Sequence, residues 1–288
     1  MSAVNSKEAT SGKLHKKHRN PAGLIFSLIC AAGVFYPFFI MLTGSVKSTK
    51  EALISPNSLP TEIHLENFVK AWISMDFTRV LANTVFITVL SVAGGIIFTA
   101  FAAYPIGLSK HKKFYNFLYY LFLCGIMIPF YTALVPLVKL MNDLHLTNSL
   151  LGMVIYYVGR RMPMNVFLYV GFVRGVSSEI LEAGEIDGAG LWKLFWKILF
   201  PLMKPITVTI MLLDSMATWN DFLMPKIMLS TKVNRTITLA QYFFRSENNN
   251  KWELTFAAYI LTLLPIMIFY FAFQKNIVKG VAAGAVKG

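Results

Sequence analysis

The chain has 288 residues, of which 56% are hydrophobic and 14% are charged. A soluble domain of this length needs more polar surface, so the composition excludes an ordinary water-soluble protein and favours a membrane protein. The net charge of +13 does not indicate nucleic-acid binding. The lysines and arginines gather in short segments beside apolar runs, as the positive-inside rule requires.

Six apolar segments are long enough to span a membrane, since a helix needs roughly twenty residues to cross about 30 Å of hydrocarbon. Each must be a helix, because lipid offers no partner for unpaired backbone groups. The sequence therefore predicts an all-α integral membrane protein with six transmembrane helices in one domain, residues 21–274. Polar tails, residues 1–20 and 275–288, flank this domain. The predicted spans are Pro21–Leu42, Val80–Leu108, Phe114–Leu140, Leu150–Val173, Pro205–Leu229 and Leu254–Phe273.

Basic residues predict the orientation of these spans. They concentrate in the tail 1–20, in the tight loop after the second span, in the loop after the fourth span and in the tail 275–288. With six spans, these segments lie on one side of the membrane, whereas the opposite loops mix basic with acidic residues. Both termini are therefore expected in the cytoplasm. A short amphipathic helix is predicted near Leu65–Trp72, in the first loop on the opposite side.

The cytoplasmic loop between the fourth and fifth spans, residues 176–204, predicts a helix-turn-helix. A serine at 177 or 178 can cap a helix from about Glu179 to Ile186. The turn follows at Asp187-Gly188, where glycine allows backbone angles that are closed to other residues. A second helix is predicted from about Leu191 to Leu199, and Pro201 is expected to end it.

Apolar side chains of the second predicted helix fall at helical spacing. Leu191, Leu194, Phe195 and Ile198 are expected on one face. Such a hairpin can sit in a groove of a partner protein and move with it. The other interpretation is an amphipathic loop that lies on the membrane surface, and composition alone does not separate the two.

The same loop carries a long, gapped motif, E-A-A-x-x-D-G-A-x-x-x-x-x-F-x-x-I-x-x-P. The motif positions in this chain are occupied by Glu182, Ala183, Gly184, Asp187, Gly188, Ala189, Phe195, Ile198 and Pro201. Only Gly184 departs from it, because it stands where the second alanine is usual. The loop resembles the E-A-A loop in membrane subunits of ATP-binding-cassette importers. This resemblance implies that the motif residues, together with Leu191, couple the chain to an ATPase.

Three further segments are similar to parts of the second, six-span permease of maltose-type carbohydrate importers in bacteria. They are Trp219-Asn220-Asp221-Phe222, Leu264-Pro265 and Gly284-Ala285-Val286-Lys287-Gly288. The resemblance implies a permease subunit in the bacterial cytoplasmic membrane that imports sugars or oligosaccharides by alternating access. This chain would form half of the translocation pathway.

The resemblance also implies the partners. They are a sister permease subunit in a heterodimer, two ATPase subunits, an extracytoplasmic sugar-binding protein and membrane lipid. ATP and magnesium are expected on the ATPase subunits, since this chain has no G-x-x-x-x-G-K-[ST] run. The chain itself is expected to hold no cofactor or metal and to be no enzyme. Val286, Lys287 and Gly288 are expected to reach the ATPase pair, or else to form a frayed, solvated end.

Ionisable residues inside a span are costly and usually face a bundle interior or water. Asp214 lies in the fifth predicted span, and Arg160 and Arg161 lie in the fourth. These residues can line the pathway, where the arginines would suit an acidic sugar. Alternatively, the arginines can be interfacial or pair with Asp214. Tyr156 and Trp219 can stack on sugar rings or belong to an aromatic belt. The remaining pathway candidates are Asn220 and Asp221.

Other functions fit the same composition. An ion-coupled secondary transporter usually shows repeats and more spans, and it leaves the predicted hairpin unexplained. A membrane enzyme needs a catalytic cluster, but most histidines lie in tails and loops, and no His or Cys cluster has metal-ligand spacing. An importer of peptides, amino acids or phosphate stays open, although the W-N-D-F segment and the chain end argue against it.

Overall fold

The computed structural model of this protein describes residues 21–109 and 112–285. Over these residues the chain is helical with short connections and contains no β-strand. The helices are α1 (Pro21–Ser45), α2 (Thr49–Ile54), α3 (Glu66–Met75), α4 (Phe77–Leu108), α5 (Lys112–Met127), α6 (Phe130–Asp143), α7 (Leu150–Val173), α8 (Ser178–Ile186), α9 (Leu191–Leu194), α10 (Phe200–Leu202), α11 (Lys204–Trp219), α12 (Leu223–Met228), α13 (Ile237–Glu247) and α14 (Trp252–Ala285). The predicted all-α class is confirmed.

Three of these helices are long and apolar enough to cross a membrane: Ala22–Ser45, Phe77–Leu108 and Trp252–Phe273. Two further helix pairs pass the same test only as bent units. Helix α7 has the length of a span and the ends predicted for it. It is not among the described helices that pass, because Arg160 and Arg161 lower its hydropathy.

The third predicted span, Phe114–Leu140, is not one continuous helix. Helices α5 and α6 meet at a bend of 103°, with Pro129 in an extended conformation between them. A proline has no N–H to donate, and its ring disfavours helical angles at the residue before it. Hydrophobicity alone does not reveal this break, because apolar residues continue without interruption up to Ile128.

The fifth predicted span, Pro205–Leu229, is also shorter than expected. Helix α11 ends at Trp219, and the short α12 follows from Leu223. The W-N-D-F segment therefore forms the break between two helices. The predicted loop helix near Leu65–Trp72 is confirmed as α3, which buries Asn67, Ala71 and Met75.

Helices α4 and α7 form the most extensive helix pair in the described part of the chain, and α11 packs against both of them. Helix α1 packs against α14, and almost all of its large apolar side chains are exposed. Such outward-facing apolar surface is what lipid or another membrane subunit covers.

The core has clusters at both ends of the bundle. At one end, Ile106 of α4 and Val173 of α7 pack with Phe195 and Leu199 of the loop 176–204. At the other end, Phe77 of α4 packs with residues of α3, α13 and α14. We call the loop 176–204 the hook, and the two ends the hook end and the far end. The tail residues 1–20 and Val286–Gly288 lie outside the described residues, whereas the backbone of 275–285 continues α14.

Candidate functional site

The first arm of the hook is the helix α8, and it begins and ends as the sequence predicts. The Ser177 Oγ accepts a hydrogen bond of 3.3 Å from the Glu179 backbone N–H, which caps the helix. At the other end the N–H of Gly188 donates to the Glu185 carbonyl, and that of Ala189 donates to the Gly184 carbonyl, both at 3.0 Å. These two bonds form a Schellman motif.

The turn after α8 depends on a glycine. Gly188 has φ +75°, in the left-handed region that residues with a Cβ rarely adopt. The turn reverses the chain so that α9 starts at Leu191 and lies against α8. The loop therefore contains two short helices, α8 and α9, joined by a turn.

The second arm differs from the prediction at Pro201, which does not end it. After α9 the chain makes a π-helical turn over Phe195–Leu199 and continues as α10 to Leu202. A π turn is wider than an α turn, and it relieves the clash that a proline ring otherwise makes with the preceding turn. The break falls at Met203, where the hook meets α11 at a bend of 72°.

The hook divides its apolar side chains between two surfaces. Leu194 and Phe195 are each only 2% exposed and lie in the core of this chain. Phe195 stacks on Phe101 of α4, with ring centroids 4.3 Å apart. Leu191 was expected on the same face, but it is 70% exposed. Phe195 therefore anchors the hook to the bundle and is not on the surface.

The exposed tip of the hook is apolar. Ile186 is 85% exposed, Trp192 is 72% exposed, and Leu191 lies between them in sequence. Glu182, Ala183 and the turn at Asp187 are exposed as well. Large apolar side chains exposed on one short loop are typical of an interaction surface.

The two arms of the hook pack closely at Gly184. This residue is buried, and a Cβ added to it would lie 2.6 Å from the Ile198 Cδ1 and 2.9 Å from the Leu194 Cδ2. The absence of a side chain therefore lets α8 approach the second arm. This explains in physical terms why glycine suits a position where alanine is usual in the E-A-A pattern.

A cavity of about 700 Å³ opens between the hook and helices α4 and α5. Its aromatic walls include Phe101 and Tyr104 of α4 and Trp192 of the hook, and Glu182 and Glu185 also line it. This cavity separates part of the hook from the bundle, so the hook contacts the bundle mainly through its second arm.

A second group of polar residues lies inside the bundle, between α7 and α11. The Asn165 Nδ2 donates a hydrogen bond of 2.6 Å to the Asp214 Oδ2. The Arg161 guanidinium lies 3.6 Å from the Asp214 Oδ1. Asp214 is 5% exposed, and both of these partners belong to α7, so the contacts join α11 to α7 inside the bundle.

This group continues along both helices, and we call the whole contact the polar seam. The Tyr157 hydroxyl donates to the Asp221 Oδ2 at 2.9 Å, and the Tyr169 hydroxyl donates to the Thr207 Oγ1 at 3.0 Å. The residues on α7 are four apart, Tyr157, Arg161, Asn165 and Tyr169, and their partners are seven apart, Thr207, Asp214 and Asp221. The spacing of four keeps the α7 side chains on one face of that helix, and the spacing of seven puts Thr207 and Asp214 on one face of α11. Asp221 lies just beyond the end of α11 at Trp219.

The other pathway candidates have different surroundings. Arg160 is exposed, with its guanidinium 5.4 Å from the centre of the Phe130 ring. Tyr156 is buried beside Tyr157. Trp219 packs at the edge of the far-end cluster, and the exposed Asn220 donates to the carbonyl of residue 216. Tyr156 interacts with Arg160, Arg161 and Asp221, so these four candidates lie close together.

Asp221 has a structural role in addition to its bond with Tyr157. Its Oδ1 accepts a hydrogen bond of 3.0 Å from the Leu223 backbone N–H, and its carbonyl oxygen accepts one of 2.6 Å from the Thr238 hydroxyl. It fixes the break after α11 and joins it to α13.

The sequence analysis missed Asn165, Tyr169 and Thr207 as members of the polar seam. A signal for two of them was available, because polar residues recur every fourth position from Arg161 along α7. Metal-binding clusters are absent from the described residues. The predicted ATPase contacts Val286, Lys287 and Gly288 lie outside those residues.

Comparison with known proteins identifies the group of proteins to which the chain is related. Residues 95–283 match the family described as "Binding-protein-dependent transport system inner membrane component". This stretch contains the hook, the polar seam and all of the bundle from the middle of α4 onward. The description makes members components of a membrane transport system that also needs a binding protein.

Similar curated proteins span nearly the whole chain. One is the probable starch degradation products transport system permease protein AmyC of Thermoanaerobacterium thermosulfurigenes, 34% identical over 92% of this chain and 94% of that protein. Another is the melibiose/raffinose/stachyose import permease protein MelC of Bacillus subtilis, 36% identical over 92% of this chain and 95% of that protein.

A solved structure shares the fold. It is a chain of a bacterial ABC transporter involved in the import of the acidic polysaccharide alginate, with a TM-score of 0.77 and 22% identity. The match covers 88% of this chain and 95% of that one. With this fold, the matched stretch 95–283 and relatives above 30% identity along its length, the chain is a multi-pass membrane protein that belongs to the family of binding-protein-dependent transport system inner membrane components.

Proposed function

We propose that this chain is one of two permease subunits in an ATP-driven importer of sugars or oligosaccharides. The hook carries this proposal. It combines a buried base at Phe195 with an exposed apolar tip at Ile186, Leu191 and Trp192. A surface of that kind, on a rigid base and outside the core of its own chain, needs a partner to cover it.

The partner of the hook, in this proposal, is one of two ATPase subunits that bind ATP and magnesium. The exposed motif residues Glu182, Ala183, Asp187 and Gly188 would lie in its groove together with the apolar tip. The buried members support the hook from behind, as Gly184, Ala189, Leu194 and Phe195 do now. Movement of the ATPases would then reach the bundle through the 72° bend at Met203.

The proposed topology has six spans and both termini in the cytoplasm. The long helices α1, α4 and α14 supply three spans, and α7, the bent pair of α5 and α6, and α11 supply the others. Basic residues favour the hook end as the cytoplasmic end, since Lys193, Lys197 and Lys204 all lie there. The far end, with α3 and α13, would face the outside and the sugar-binding protein.

Half of the translocation pathway would be formed by this chain, and the other half by a sister permease. The polar seam is the contact between α7 and α11, and α11 follows the hook directly in the chain. A hydrogen-bonded interface between these helices is suited to hold two discrete arrangements, as alternating access requires. Arg161 and Asp214 would act here by pairing with each other rather than by binding sugar.

The sugar cargo is supported by the names of the curated relatives. The two described above transport starch degradation products and melibiose, raffinose or stachyose. A third, 34% identical over 88% of this chain, is the multiple sugar-binding transport system permease protein MsmG of Streptococcus mutans.

The direct test is reconstitution of the whole complex in lipid vesicles. The permease would be co-expressed with its genomic neighbours and purified through a tag on this chain. ATP-dependent uptake should be measured for maltotriose, raffinose and an alginate trisaccharide, with and without the binding protein. The proposal expects co-purification of two ATPase subunits and binding-protein-dependent uptake of at least one of these sugars.

Each alternative has its own result in this experiment. Uptake driven by an ion gradient without an ATPase would identify a secondary transporter. ATP-dependent uptake of peptides, amino acids or phosphate, with no sugar uptake, would keep the importer and overturn the cargo.

A further inference from the structure

A concave site at the far end has no role in the argument so far. It has a volume of about 590 Å³, within the range of small-molecule sites. We call it the outer cleft. Its lining includes Phe222, Gln241, Tyr242, Arg245, Asn249 and Tyr259.

The helix α13 supplies most of this lining from one face. Gln241, Tyr242 and Arg245 fall at i, i+1 and i+4, while Ala240 and Phe244 on the other side pack into the far-end cluster. The burial of that apolar side fixes the rotation of α13. The packing of Ala240 and Phe244 therefore positions the polar and aromatic side chains that α13 contributes to the cleft.

Aromatic side chains form an exposed platform in the outer cleft. The rings of Phe222 and Tyr242 have centroids 5.0 Å apart, and Tyr242 is 45% exposed. The Lys226 ammonium lies 4.4 Å from the centre of the Tyr242 ring and holds this ring from one side. Tyr259 of α14 also lines the cleft. Flat aromatic faces of this kind can cover the C–H surface of a pyranose ring.

Polar groups around this platform retain hydrogen-bonding capacity. The Gln241 Nε2 donates to the Thr262 hydroxyl at 3.3 Å, which orients the amide and leaves its carbonyl oxygen without a partner among the described residues. One guanidinium nitrogen of Arg245 donates to the Asn249 carbonyl at 2.8 Å, and the group lies 4.1 Å from the Trp252 ring centre. Amide and guanidinium groups in fixed positions can bind pairs of neighbouring hydroxyls.

The charge of the cleft excludes a cationic ligand. No carboxylate lines it among the described residues. The nearest acidic residues in sequence have partners of their own, since Glu247 lies 3.8 Å from the Arg235 guanidinium and Asp221 accepts from Tyr157. A neutral sugar ring fits, and a ring with a carboxylate would gain an interaction with Arg245.

From this chemistry we infer that the outer cleft binds one pyranose unit of the transported sugar at the extracytoplasmic mouth of the bundle. This inference rests on the proposed function for its cargo and orientation. It names a sugar site on this chain at the far end of the bundle, next to the Asp221 end of the polar seam. The aromatic pair supplies the contact area, and Gln241 and Arg245 select for hydroxyl-bearing rings.

Cysteine protection tests this inference in the reconstituted complex. Cys30 and Cys124 would be replaced by serine, and Asn249→Cys would report on the cleft. Asn57→Cys is the matched control, because Asn57 is an exposed asparagine in another far-end loop. Both would be labelled with a membrane-impermeant thiol reagent, with and without whichever of the three sugars the complex transports.

The expected result is protection of the cleft position alone. Sugar at about ten times its dissociation constant should slow labelling at position 249 roughly tenfold, since only the unoccupied site reacts. Tyr242→Ala should abolish this protection, and Tyr242→Phe should retain it because the ring remains. Labelling at position 57 should not change.

Other outcomes overturn the inference without touching the proposed function. They are sugar uptake with no protection at position 249, equal protection at position 57, or no labelling of the cleft even without sugar. A complex that takes up none of the three sugars would instead overturn the cargo in the proposed function.

Discussion

The hook and the polar seam both depart from the usual distribution of side chains in a membrane protein, and they do so in opposite ways. The hook exposes large apolar side chains outside the bundle, such as Ile186 and Trp192. The seam buries charges inside it, with Asp214 between Asn165 and Arg161. Apolar surface in water and charge in a bundle both cost free energy. A chain that retains both has a use for them, and we propose contact with an ATPase for one and helix movement for the other.

The two regions also differ in what completes them. Every acidic or phenolic member of the polar seam has a partner within this chain, although the buried Nε of Arg161 has no hydrogen-bond partner among the described residues. The hook is complete only at its base, through Phe195. Changes in the seam should therefore reduce the stability of the permease itself, whereas changes at the tip of the hook should reduce assembly with its partner.

The largest effect is expected from breaking the central pair of the seam. Asp214→Asn leaves the Arg161 charge without its carboxylate, and removal of one partner from a buried pair costs about 3–5 kcal/mol. We place the effect at about 3 kcal/mol, because the Arg161 side chain is 26% exposed. The free energy of unfolding can be measured by detergent titration of the purified permease.

Two controls make this test specific. Arg160→Gln removes a neighbouring arginine that is exposed and lies beside the Phe130 ring and Tyr156, so it should cost less than about 1 kcal/mol. The double variant Asp214→Asn with Arg161→Gln should be more stable than Asp214→Asn alone. Strictly additive losses would show that these two side chains do not interact.

The next largest effect is expected at the tip of the hook. Ile186→Ser removes an apolar side chain that should be buried against the ATPase, worth about 1.5–3 kcal/mol. The affinity of the permease for the ATPase should fall at least tenfold, since about 1.4 kcal/mol is a factor of ten. The unfolding of the isolated permease should hardly change. Binding can be measured with purified subunits in lipid nanodiscs.

The matched control for this change is at the far end. Ile73→Ser alters a residue of the same type that is 71% exposed on α3, and it should leave ATPase binding unchanged. Equal loss of binding in both variants would mean that the effect is a general one and that the hook tip is not the contact.

A smaller effect is expected from the turn of the hook. Gly188→Val forces a β-branched residue into φ +75°, which costs about 1–2 kcal/mol for a residue with a Cβ. The arms should separate, and sugar-stimulated ATP hydrolysis should fall while basal hydrolysis by the ATPases persists. Gly188→Asn is the control, because asparagine tolerates the left-handed region and should retain most of the stimulation. Full stimulation with valine would show that the turn geometry is not needed for coupling.

The sequence was most informative where local rules decide the structure. The Ser177 cap and the glycine turn at Gly188 were predictable because a few neighbouring residues determine them. The ends of α7 were equally predictable. The break at Pro129 was missed because apolar length was given more weight than the proline, although both signals were present in the sequence.

The candidate sites depended on contacts that no local pattern contains. The spacing along α7 could have indicated a polar face, but its register against Thr207, Asp214 and Asp221 follows only from how two distant helices pack. Asp221 was expected to line a pathway, and the structure gives it a tyrosine partner and a capping role. Regular helical spacing predicted neither the exposure of Leu191, at the start of α9, nor the π turn over Phe195–Leu199.

The smallest effect tests whether the two arms of the hook meet as described. Gly184→Ala should gain up to about 1 kcal/mol from helix propensity in α8. That gain should be lost because the new Cβ would lie 2.6 Å from the Ile198 Cδ1. Ile198→Val removes this methyl group and leaves the Leu194 Cδ2 at 2.9 Å, so Gly184→Ala should be more favourable for α8 in the valine background than in the native one. Hydrogen exchange of the α8 amides measures the difference. If Gly184→Ala had the same effect in both backgrounds, Gly184 and Ile198 would not be in contact. The second arm would then not support α8, and the hook would lack the fixed base that distinguishes it from the polar seam.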